Sequence, residues 1–109
     1  MRTHEKPPML AEGHALLERL FGIAETRLRE RGISMRSSSA VLDYLLNSTD
    51  WRGCLNPLRT LDGSWSKQVG AVIEGLLLEQ RLKSGDALEI RLGETPFGSQ
   101  IEFDTIPST

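Results

Sequence analysis

The chain has 109 residues, 39% hydrophobic and 26% charged, with a formal net charge of −2 and one cysteine. That length supports one domain with a modest core and not two. The charge speaks against bulk attraction to nucleic acid or anionic lipid, and a lone Cys54 rules out an internal disulfide and fits a reducing cytoplasm. No apolar run approaches the roughly 18 residues that span a bilayer. Residues 1–9, with Met1 to Lys6 and the Pro7-Pro8 pair, lack the apolar stretch of a secretory signal and read as a flexible leader. Residues 10–106 read as the single domain and 107–109 as a flexible tail.

From Leu10 to Arg31, Leu16, Leu17, Leu20, Phe21, Ala24 and Leu28 recur at helical spacing, with Glu18, Arg19, Glu25, Arg29 and Glu30 opposite. Gly32 stands where a helix-ending glycine belongs. Gly13 and Gly22 each weaken this helix by roughly 1 kcal/mol relative to alanine. Ile33 to Arg36 alternates as a short strand, and Ser37 to Ser39 offer hydroxyls to cap a second helix, Ala40 to Asn47, with Val41, Leu42, Leu45 and Leu46 facing inward. Asn47 to Leu55 is a loop.

Asn56 and Pro57 predict the start of a third helix, as N-cap and first helical residue. Its stripe runs Leu58, Leu61, Trp65, Val69, Val72, Ile73, Leu76 and Leu77, every step being one, three or four. Asp62-Gly63-Ser64 predicts a kink or break. Lys83 to Asp86 is a turn, Leu88, Ile90 and Leu92 mark a strand, Gly93 to Ser99 a loop, and Ile101 and Phe103 a final strand, hairpin partner of the one before. The expected fold is α+β, about three helices on a small three-stranded sheet.

Several local words in this order are similar to the C-terminal small domain of Clp-type AAA+ chaperone ATPases. The helix ending Thr26-Arg27-Leu28-Arg29-Glu30-Arg31-Gly32 passes into a strand, Ile33-Ser34-Met35. Pro57-Leu58-Arg59-Thr60-Leu61 stands where the family carries Gly-Ala-Arg-x-Leu, and the long helix ends at Gly85-Asp86 before the strand Ala87-Leu88-Glu89-Ile90. The spacing back from Gly85-Asp86 to Arg59 matches the family's helix without a gap, and the likeness covers roughly residues 16–103. It departs from the family at Pro57 for glycine, Leu58 for alanine and Thr60 for proline.

The resemblance implies that Arg59 is a sensor-2 residue, reaching nucleotide phosphates on a neighbouring large domain. A permanently charged planar fork of donors suits that task, and the start of a helix favours an anion. Asp62, one turn on, is in reach of pairing with Arg59 instead. The chain has no Gly-x-x-x-x-Gly-Lys-Ser/Thr loop, so it is expected to be non-catalytic and without a cofactor in isolation, ATP and magnesium being implied only for a parent ATPase. That parent would be a hexameric, ATP-dependent unfoldase or disaggregase in the cytoplasm. The implied partners are the large domain and neighbouring subunits of the ring, with client proteins engaged indirectly and neither nucleic acid nor membrane involved. The isolated chain is expected to be a monomer or weak dimer.

Two other classes compete. A free-standing adaptor would dock on a Clp ring or another partner through exposed apolar residues, with Trp51 and Phe97 as interface candidates. A small helix-turn-helix DNA binder would use the helices around Val41 and Val69, against the acidic balance and the C-terminal strands. Arg19, Arg27, Arg29 and Arg31 crowd one helix, but interspersed glutamates make it a mixed-charge solvent face. His4 and His14 have no second metal ligand nearby, Cys54 reads as an idle or buried thiol, and Trp65 as core.

Overall fold

A computed structural model describes residues 8–48 and 50–107. The expected leader lies outside the described residues up to Pro7, as do His4 and the tail residues Ser108 and Thr109. Helix α1 spans Pro8–Glu30, so it begins two residues before the expected Leu10. Strand β1 is Ser34–Ser37, α2 is Ser39–Ser48, and α3 is Pro57–Trp65. A π-helical segment, Ser66–Gly70, joins α3 to α4, Ala71–Leu78. Strands β2, Ala87–Thr95, and β3, Gly98–Ile106, complete the fold. With α3, the π segment and α4 forming one rod, this is the expected α+β architecture of three helices and a three-stranded sheet.

Helix α1 buries Leu17, Phe21, Ala24 and Leu28. It ends in a Schellman motif: Gly32, at φ +80°, donates its N–H to Arg29, and Ile33 donates to the Leu28 carbonyl. Both Leu28 and Ile33 are buried, which is the apolar contact that accompanies this cap. Strand β1 follows at once and points only Met35 inward. The expected serine cap forms at Ser38, whose hydroxyl accepts from the Ala40 N–H at 3.1 Å. Helix α2 then buries Val41, Leu45 and Leu46, while Leu42 is half-buried.

Trp51 sits in the loop after α2 with no exposed surface. Its indole N–H donates to the Leu46 carbonyl at 3.0 Å, so the polar atom is satisfied and the ring can be fully buried. The ring lies against Gly13, where a Cβ would overlap it. That glycine costs helix propensity but lets loop and helix close up.

The rod opens at Pro57, as its sequence predicts, but Asn56 makes no side-chain cap. The expected side-chain cap at Asn56 does not form; its carbonyl accepts the first intrahelical bond, from the Thr60 N–H, and the Thr60 hydroxyl as well, both at 3.0 Å. The predicted break at Asp62-Gly63-Ser64 is absent: α3 runs through all three residues, and the irregularity lies at Ser66–Gly70. A π turn places residues five apart above one another. Here it brings Gly70 beneath the Trp65 ring, where a Cβ would stand 3.1 Å from Cζ3. Trp65 also packs edge-on to Phe21, with ring centroids 5.7 Å apart.

The rod ends in a second Schellman motif with Gln80, at φ +58°, in the glycine position: Gln80 N–H meets Leu77 and Arg81 N–H meets Leu76. In the turn that follows, Gly85 takes φ +95°, Asp86 N–H bonds to the Lys83 carbonyl, and the Asp86 carboxylate accepts from Lys83 N–H at 2.9 Å. Gly85 N–H also donates to Gly32 O at 2.8 Å. The end of α1 and the entry to β2 are thus pinned together, which delivers β2 to β1.

The sheet order is β1-β2-β3. β1 pairs parallel with β2, Met35 opposite Leu88, and β2 pairs antiparallel with β3 from Ala87↔Ile106 to Thr95↔Gly98. The residues expected to form a loop, Gly93 to Ser99, are mostly ladder; only Pro96 and Phe97 turn. Gly93 belongs in the strand because the Glu102 carboxylate lies where its Cβ would be. Leu88 and Ile90 complete one core shared by helices and sheet. Among the described residues no helix is long and apolar enough to cross a membrane.

Candidate functional site: the groove around Arg59

Pro57 starts the rod without a backbone N–H, and Arg59 follows in the first turn. Its side chain is exposed and makes no ion pair among the described residues. Asp62 does not pair with it; the Asp62 carboxylate accepts the Ser66 hydroxyl at 3.3 Å instead. Arg59 lines an open groove of about 720 Å³ between α1 and α3, with Glu12, Leu16, Arg19, Leu58 and Asp62. Two guanidinium groups face two carboxylates there, so the groove has no net formal charge. Anion recognition would depend on the directed donors of Arg59 and Arg19 and not on a broad positive field.

Arg19 is the neighbour that local reading missed. It belongs to the α1 arginine cluster, and only the packing of α1 on α3 brings it beside Arg59. The cluster itself disperses: Arg27 bonds Glu74 across to α4 at 3.0 Å, and Arg29 pairs with Glu25 at 3.7 Å. It forms no continuous basic face.

The two interface candidates separate. Trp51, an interface candidate that the sequence leaves open as either a lid on the core or an exposed contact, is fully buried and held by its own hydrogen bond, so it is a core residue and no contact surface. Phe97 is 98% exposed at the tip of the β2–β3 hairpin, where its N–H donates to the Thr95 hydroxyl at 3.1 Å. Leu55, just before the rod, is 99% exposed.

No charged side chain is buried among the described residues, and no three of their His, Cys, Asp and Glu side chains gather as metal ligands. His14 has only Glu18, at 3.6 Å, and Cys54 is exposed with its thiol directed to the Asp50 carbonyl. No family model and no curated protein matches this chain in sequence.

Proposed function

We propose that this chain acts as the non-catalytic small domain of a Clp-type AAA+ unfoldase or disaggregase, relaying nucleotide state and making contacts between subunits of a ring. The observation that carries this reading is the placement of Arg59. It stands exposed, with no ion pair among the described residues, in the first turn of a rod that leads, past its end at Leu78 and the turn at Gly85-Asp86, into the central strand of the sheet. A guanidinium held there can bind phosphate oxygens of a nucleotide on an adjoining domain, and a rod anchored in a sheet can pass the resulting displacement on. ATP and magnesium belong to the large domain in this reading.

Sedimentation tests it. Alone the chain is to run as a monomer or weak dimer; joined to its large domain it is to form hexamers whose stability depends on ATP. A stable hexamer of the isolated chain, or a joined protein indifferent to ATP, would remove the proposal. The second reading, an adaptor docking on a ring or another partner, is favoured by Phe97 and Leu55, two large apolar side chains left almost wholly in water. Ring binding by the isolated chain that is lost on Phe97→Ser would select it.

A further inference from the structure

Strand β3 is the uncovered edge of the sheet. Its extensive packing among the described elements is with β2. Ser34 N–H bonds to Asp86 O and Ser38 N–H to Ile90 O, so the even residues of β2 direct their backbone groups toward β1 and the odd ones toward β3. The register then gives β2 the backbone groups of Gln100, Glu102, Asp104 and Ile106. Those of Ser99, Ile101, Phe103 and Thr105 point away from the sheet and take no backbone partner among the described residues. An edge of this length with open donors and acceptors is a template for another strand.

The side chains of this edge state what would add to it. One face carries Ile101 and Phe103, both only half-buried. The other carries Glu102 and Asp104, opposite Arg91 and Glu89. The Arg91 guanidinium is shared by both β3 carboxylates, 3.4 Å from Glu102 and 2.9 Å from Asp104. With Arg36 of β1 opposite Glu89, three carboxylates face two guanidinium groups and that face keeps a formal charge of −1, its carboxylates Glu102 and Asp104 lying on the edge strand itself. Side chains of an added strand stand about 5 Å from those of β3. A second copy of β3 would bring its own Glu102 and Asp104 against these carboxylates, and like charges opposed in a ladder repel.

We infer that the open edge of β3 binds an extended peptide segment whose side chains alternate basic and apolar, the basic ones beside Glu102 and Asp104 and the apolar ones beside Ile101 and Phe103. This is strand addition, with main-chain hydrogen bonds supplying affinity and the two rows supplying selectivity. It stands independently of the nucleotide-relay proposal.

The test uses the whole chain and a labelled octapeptide of alternating lysine and valine, followed by fluorescence anisotropy and amide NMR. The peptide is expected to bind at low salt and to shift the Ile101, Phe103 and Thr105 amides, while a glutamate–valine octapeptide does not bind. Thr105→Pro deletes only an N–H that β2 does not use, so the fold persists, and it should weaken binding about tenfold or more. Glu102→Lys with Asp104→Lys should weaken it similarly, an independent check should the proline variant fail to fold. Absence of lysine–valine binding at low salt, equal binding of the glutamate peptide, or binding that survives the charge reversal overturns the inference. So does a chain dimer dissolved by Thr105→Pro, which would put a second copy on the edge.

Discussion

At Gly13 and Gly22 the same residue type in one helix serves opposite ends. A Cβ at Gly13 would overlap the Trp51 ring, whereas one at Gly22 meets nothing within 4 Å. Gly22→Ala should therefore stabilise the fold by roughly 0.5–1 kcal/mol through helix propensity, and Gly13→Ala should cost about 1–3 kcal/mol through overpacking. Urea unfolding of both variants checks the opposed signs. Gln80 offers a similar test. It holds a left-handed cap conformation that glycine adopts without strain, so Gln80→Gly should raise stability by about 0.5–1 kcal/mol in the same measurement. Gly32 is the converse: φ +80° and the Ser84 side chain both exclude a Cβ there. Gly32→Ala should lower stability by about 1–3 kcal/mol. Trp51 shows where local reading leaves a choice open between a lid on the core and an exposed contact. Its loop neighbours, Asp50, Arg52 and Gly53, are polar or small, whereas Gly13, against which its ring lies, is distant in sequence.

Among the elements, the rod and α1 were legible because long apolar stripes at helical spacing have no competing interpretation. The π segment was not, since nothing in residues 66–70 signals it; there the Trp65 ring lies against Gly70, a contact set by tertiary packing. Asp62-Gly63-Ser64 looked like the weak point, yet Asp62 accepts the Ser66 hydroxyl, and the Gln68 side-chain amide donates to Ser64 Oγ at 2.8 Å. These links brace the stretch that propensity alone would break. The hairpin was underestimated for a similar reason. Gly93, Pro96 and Gly98 look like a loop, but Gly93 is matched to the Glu102 carboxylate above it and only Pro96-Phe97 leaves the ladder. Phe97 contributes nothing to the core, so Phe97→Ser should change stability by less than about 0.5 kcal/mol. Calorimetry showing a larger loss would mean that the hairpin tip packs in solution. The groove was half legible: Asn56-Pro57 place Arg59 at a helix start, but Arg19 arrives only through tertiary packing.

On the scale of the whole molecule, one core joins α1, α2, the rod and the inner face of the sheet, and the Gly32–Gly85 contact closes the circuit between the end of α1 and the entry to β2. Arg59 stands in the first turn of the rod, and the closure lies beyond the rod's other end, in the turn before β2. The most direct test is ATP binding and turnover by this chain joined to the large domain of a Clp-type ATPase, with Arg59 intact and as Arg59→Ala. Losing a charge-assisted contact of about 1.5–3 kcal/mol should weaken nucleotide binding or slow turnover by roughly ten- to a hundredfold, with the fold unchanged. ATP affinity and turnover that are the same in both proteins would contradict the account.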